Sequence, residues 1–479
     1  MTRSKKAIGF FVSLTFLTFG YFAFTTKEIQ PFSDFALLEW QIKLALQGTF
    51  HLHYEYLLED PNFQFFPLPD IFFHVHNGLP YSTFPNFYPI LFSPIYACFG
   101  ILGIKLAQLV LFFLSIYIFY LMNKDVSSTI LLLFGSTISI YVFLIHETIL
   151  FLFLEVLVLY LYHRRWTGFS GLLSMCLVWM RPEMIFAIGF LPLCFTKEHN
   201  WKRFVFIFFI TGTLFSILNQ ITLGTFFPLR LVKNSGFQFR TDTSFYLFKI
   251  WAEQVPIFIL FVLSFIRSMV RKVFSYQNLV LLLITIVMIL ISPNTGGHNT
   301  PRYLFGLIPL YILVLRKNEI AETQITKPWI FILFILSCYS LNTLFQQTKE
   351  LRKISKYQMN TVQEITKIKD KVLVFNNSDF SFVVAPEFMS LPFSKSEKDI
   401  LLLRPDYDNK TLIQILTTKH NQSFTFLELP PSPIPLRPNV AEIIFQSQIK
   451  YRISYRYQLP EVLLPIQATQ CLLEVFYKP

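Results

Sequence analysis

ILGIKLAQLVLFFLSIYIFYLMNKDVSSTILLLFGSTISIYVFLIHETILFLFLEVLVLYLYHRRW, residues 101–166, is three apolar runs parted by two short polar interruptions, NKD at 123–125 and HE at 146–147. In hydrocarbon only a helix or a closed barrel satisfies its own backbone, and a helix needs about 20 apolar residues to span. The runs 101–122, 127–145 and 148–162 therefore read as successive membrane crossings. Working outward, further crossings are expected at 8–24, 204–223, 254–266, 277–292, 303–315 and 328–344. Two shorter runs, 168–180 and 183–195, meet at Arg181-Pro182-Glu183 and read as two crossings that meet near a polar surface. The expected fold is a polytopic α-helical membrane protein with about 11 crossings, within a range of roughly 9 to 13 because several runs fall short of a full span.

Composition agrees. Of 479 residues, 53% are hydrophobic and 15% charged, with a mean hydropathy of +0.49, whereas an ordinary soluble chain carries about 25% charge. The net charge of +12 sits largely in short connections, so it argues for the positive-inside rule and against a nucleic-acid partner. With a cytoplasmic N-terminus, the connections at 123–125, 163–166, 197–203, 267–272 and 316–319 all fall inside, and each holds lysine or arginine. That count places the C-terminal tail on the outer side. The basic opening resembles a signal peptide but lacks a small-residue cleavage site, so 8–24 is expected to be retained. Five scattered cysteines offer no disulfide framework.

Two longer pieces lie outside the runs. Residues 25–88 make a large acidic outer loop, grouped here with a membrane domain of residues 1–344. Within it, DFALLEWQIKLALQG spaces Phe35, Leu38, Ile42 and Ala45 as on a helix, pairs Glu39 with Lys43 and stops at Gly48. A helix along the membrane surface is expected. Residues 345–479 carry three strand-length runs, KVLVFNN, DILLLRP and SFTFLEL, with a short helix in YDNKTLIQILTTKHNQ, and read as a small outer-side α/β domain.

Ionisable residues gather at the outer ends of the runs rather than recurring along them, which favours a site at the membrane surface over a conducting path. Asp34 either caps the loop helix or acts as a general base toward a hydroxyl. Arg302, after Gly296-Gly297, either snorkels to headgroups or forks onto a phosphate. His298 is its polar neighbour, either a loop residue or part of the same site. His146-Glu147 is either a tight polar turn or a pair aimed into a cleft. In NGLPYSTFPNFYPILFSPIYACFGILG, residues 77–103, four prolines exclude a long uninterrupted helix, while Tyr81, Phe84, Phe87 and Tyr88 form an aromatic patch. That patch cups a lipid tail or sugar face, or else is a rigid lead-in to the next span. The HLH and HVH pairs at 51–53 and 74–76 lack a third metal ligand.

These stretches resemble the motifs of the GT-C superfamily of polytopic glycosyltransferases, in particular its bacterial protein-mannosyltransferase and aminoarabinose-transferase-like group. The likeness rests on Asp34 opening the loop helix and on Gly78, Tyr81, Ser82, Pro85, Tyr88, Pro89, Pro94, Tyr96 and Gly100. It continues through His146-Glu147, Arg181-Pro182-Glu183, and Gly296, Gly297, Pro301, Arg302 and Tyr303. It spans residues 1–315. The resemblance implies inverting transfer of a sugar from a polyprenyl-phosphate donor to an envelope acceptor, outside a bacterial inner membrane. It implies Asp34 as base and Arg302, Arg230 and Lys233 near the lipid phosphate, with His298, Tyr81, Tyr88, His146 and Glu147 as further donor- or substrate-site candidates. A divalent cation stays an open option and metal ligands unassigned. The other readings are a transporter or flippase of a lipid-linked substrate, and an inactive membrane scaffold.

Overall fold

The computed structural model describes residues 13, 16–17, 19–21, 29–195, 200–233, 241–271, 276–292, 300–316, 327–389, 398–404, 408–418, 423–428, 451–458 and 466–473. Helix α1 (Asp34–Leu46) precedes the hairpin of β1 (Phe73–His76) and β2 (Leu79–Ser82). Then come α2 (Phe87–Asn123), α3 (Val126–Phe134), a 3-10 segment Ile138–Phe143, α4 (Thr148–His163), α5 (Thr167–Met180), α6 (Met184–Cys194) and α7 (Trp201–Leu223). Next are α8 (Leu229–Lys233), α9 (Thr241–Gln254), α10 (Pro256–Val270), α11 (Tyr276–Ile291), a second 3-10 segment Arg302–Leu307 and α12 (Ile308–Leu315). The long α13 (Lys327–Lys367) leads to β3 (Val372–Phe375), α14 (Ser378–Phe388), β4 (Asp399–Leu402), α15 (Asn409–Thr418), β5 (Ser423–Glu428), β6 (Tyr451–Gln458) and β7 (Gln467–Leu473).

The chain divides into two compact units, one of Met1–Lys27 with Pro94–Glu350, the other of Glu28–Ser93 with Leu351–Pro479. In the first, α2 and α7 are each long and apolar enough to cross a membrane. A third span results if α9 and α10, bent by 94° where they join, are taken together. That bend is dictated by Pro256, which cannot continue the helix and leaves Val255 at φ −126°, ψ 67°. Helices α4, α5, α6 and α11 are apolar but shorter. Helix α7 turns Phe206, Phe209, Leu214, Leu218 and Ile221 outward, an apolar face suited to lipid. It packs on α5 through Gly171, where an added Cβ would lie 2.6 Å from the carbonyl oxygen of Phe204.

Two expectations are corrected in this unit. The helix predicted from residue 101 begins at Phe87 and runs through Pro89 and Pro94. It breaks instead at Gly100, whose φ of 60° and ψ of −152° belong to a region open in practice only to glycine. The run 127–145 is not one span. Asp125 caps α3, accepting from the backbone N–H groups of Ser127 and Ser128, and the helix ends at Phe134. In GSTISI the hydroxyls then compete for the backbone, as when Ser136 Oγ accepts from Ile138 N at 3.4 Å.

The second unit centres on a five-stranded sheet of order β4-β3-β5-β7-β6, parallel across β4, β3 and β5 and antiparallel beyond. The three runs read as strands are β3, β4 and β5. Every residue of β3 and β4 is buried, as parallel strands covered on both faces require. The edge of β4 is closed by Leu402 N donating to Phe65 O at 3.1 Å. Arg404 donates to the carbonyls of Gln64, Phe66 and Leu68 and pairs with Asp70 at 2.9 Å. Phe72 stacks on Phe382 with centroids 3.8 Å apart. The polar loop of the sequence thus folds together with the tail. Helix α1 ends as expected, with Gly48 at φ 71° and Glu39 bonded to Lys43 at 2.9 Å. It is covered by protein, however. Residues 34–42 are buried throughout, Trp40 Nε1 donates to Met389 O and Gln41 Nε2 to Phe84 O.

Candidate active site

The first unit brings two arginines to one carboxylate and a third to the histidine beside it. Because residues 135–147 leave the helix, their carbonyls need partners elsewhere. Gln108, buried on α2, donates to Tyr141 O at 3.0 Å, Val142 O at 3.3 Å and Leu144 O at 2.6 Å, and accepts from His146 N at 3.4 Å. This brace presents His146 and Glu147 just before α4, both fully buried.

Glu147 Oε1 receives Arg230 Nη1 at 2.5 Å and lies 3.6 Å from Arg181 Nη2. Arg181, 2% exposed, also donates to Thr148 Oγ1 at 3.2 Å and Arg302 O at 2.8 Å, and stands 3.8 Å from Glu183 Oε1. Its guanidinium covers the ring of Phe151 at 5.3 Å. Arg302 Nη1 meets His146 Nε2 at 3.2 Å. The other ring nitrogen, Nδ1, faces Thr148, 2.7 Å from its Oγ1 and 3.2 Å from its backbone N–H. Tyr141 lies against His146 with centroids 4.9 Å apart and shares a 2.6 Å hydrogen bond with Thr300.

Of the residues singled out from sequence, the structure brings together His146, Glu147, Arg230 and Arg302. Lys233 follows Arg230 one turn along α8, half-buried. His298, with Gly296-Gly297, lies outside the described residues. Arg181 and Gln108 were not chosen as site residues. Their signals were the Arg-Pro-Glu step between two apolar runs, and an amide stranded in the middle of a third.

The second unit holds Asp34, Tyr81 and Tyr88. Asp34 is 6% exposed and is the first residue of α1. The capping position belongs to Ser33, whose side chain makes no cap hydrogen bond and whose φ of 51° and ψ of −123° are strained. The position still favours a negative charge, because the first turn's N–H groups surround it. Tyr88 is fully buried and stacks on Phe92 at 4.3 Å, whereas Tyr81 lies on β2, half-buried, beside His51 at 6.4 Å. Among the described residues no three His, Cys, Asp or Glu side chains are grouped to hold a metal ion.

The fold defines a class by shape: a mostly helical chain with the architecture of one solved protein, ArnT. Among solved structures, the chain is similar to ArnT from Cupriavidus metallidurans, crystallised with undecaprenyl phosphate, at a TM-score of 0.57 and 10% identity over 95% of this chain and 97% of that one. The apo crystal structure of the same protein gives 0.56 and 10% identity over 98% of each chain. No family model and no curated protein sequence matches this chain.

Proposed function

We propose that this protein transfers a sugar from a polyprenyl-phosphate donor to an envelope acceptor at the outer face of a bacterial inner membrane. The observation that carries the reading is the cluster of Arg181, Arg230 and Arg302, buried or half-buried in a fold whose neighbour was crystallised with undecaprenyl phosphate. Three forked cations are suited to a phosphate and to the charge it gains as the sugar leaves. Asp34 is assigned the base that takes the acceptor's proton, so that attack on the anomeric carbon opposite the departing phosphate inverts it. Tyr81 and Tyr88, with His146, Glu147, Lys233 and His298, are assigned to donor and substrate contacts. About 11 crossings in the first unit and an outer-side placement of the second complete the proposal.

The test is to incubate purified protein with a radiolabelled polyprenyl-phosphate sugar and cell-envelope acceptors. Label is expected to move to an acceptor, and Asp34→Asn is expected to slow that transfer by about 100-fold or more at unchanged membrane level. Label crossing a vesicle on an unaltered carrier would instead identify a transporter, and no movement a scaffold.

A further inference from the structure

The arginine cluster contains a carboxylate that phosphate binding alone does not call for. Glu147 is wholly buried, its Oε1 lies between Arg230 and Arg181, and its Oε2 has no hydrogen-bond partner among the described residues. Glu183 stands on the far side of Arg181. The cluster's three guanidiniums and two carboxylates leave one formal positive charge. A buried carboxylate there weakens attraction for any anion, and the loss grows with the anion's charge because Coulomb energy scales with the product of charges.

We propose that Glu147 sets the charge preference of this site, favouring a singly charged phosphodiester over a doubly charged phosphomonoester. This rests on the donor-phosphate reading above. In that reaction the C1–O bond to phosphate breaks and its electron pair stays on the phosphate oxygen. The acceptor oxygen bonds to C1, and its proton passes to Asp34. The donor is a diester with one charge. The carrier left behind is a monoester, whose second ionisation near pH 6 makes it close to doubly charged at neutral pH. Three arginines without a counter-charge would hold that product more tightly than the substrate and slow every cycle. Glu147 removes the advantage, while its bonds to Arg230 and Arg181 keep both forks in place.

The experiment measures binding of undecaprenyl phosphate and of its methyl diester to the full-length protein in nanodiscs, for wild type, Glu147→Gln and Glu147→Asp. At pH 7.5, Glu147→Gln is expected to bind the monoester roughly tenfold more tightly and the diester only about threefold, since the gain in log affinity doubles with ligand charge. Glu147→Asp should keep the wild-type ratio. At pH 5, where the monoester carries a single charge, the two ligands should gain alike. Equal gains at pH 7.5, or none, overturn the inference. Should Glu147→Gln not fold, the wild type decides: a monoester bound tenfold or more tightly than the diester overturns it, and comparable affinities uphold it. If the wild type binds neither lipid, the donor-phosphate reading itself falls and takes this inference with it.

Discussion

Arg302 is held at both ends, its Nη1 on His146 and its carbonyl oxygen on Arg181 Nη1 at 2.8 Å. A side chain that merely snorkels needs neither contact, and lysine replaces it freely. For a guanidinium set to fork onto phosphate, lysine keeps the charge and loses the fork. Lipid-phosphate affinity is therefore expected to fall in Arg302→Lys and further in Arg302→Ala, where losing one charge-assisted bond costs about 1.5–3 kcal/mol. Titration of both variants checks this, and unchanged affinity in both would remove Arg302 from the site. A second residue makes a pH prediction. Asp408 accepts from Lys410 N at 3.1 Å and from Thr411 Oγ1 at 3.0 Å at the start of α15, and these bonds hold its carboxyl below the ordinary value. With the folded pKa depressed, its contribution is present above the unfolded value and is lost as pH falls through the folded one. The melting-temperature gap between wild type and Asp408→Ala should thus be full at neutral pH and close in acid.

At the scale of elements, the contact of α5 with α7 depends on Gly171. A methyl there meets the backbone at Phe204 and Phe208, not a side chain that can turn aside. Gly171→Ala is expected to lower thermal stability by about 1–3 kcal/mol, whereas alanine at Gly189, which meets nothing within 4 Å, should be nearly neutral. Melting in detergent distinguishes them. Elements held together by local rules were legible in the sequence. Helix α4 follows a run of apolar residues, α1 stops at Gly48, and β3, β4 and β5 lie on strand-length runs between turn formers. Elements set by distant partners were not. The break after Phe134 depends on carbonyls that Gln108 can serve, and the burial of α1 on Met389 and Phe84, neither of which periodicity reveals. In the same way His146-Glu147 and Arg302 stood out as polar residues beside apolar runs, while their meeting at 3.2 Å joins positions 156 residues apart.

At the scale of the whole molecule, the basic connections at 163–166, 197–203, 267–272 and 316–319 fix an expected orientation. Reporters fused after residues 200 and 400 should report opposite sides of the membrane, and the same side for both would sink the scheme. The make-up of the second unit has a further effect, on timing. Phe65, Phe66 and Phe72 leave the ribosome early, but Phe382, Leu402 and Arg404, which cover or brace them, leave only after all of Pro94–Glu350 has been made. At a synthesis rate of about 5–20 residues per second, that interval is roughly 10–50 s. For so long the young chain carries an aromatic half-domain without the tail that completes it. During that interval its apolar side chains lack their partners, so translation order exposes that half to aggregation and proteolysis.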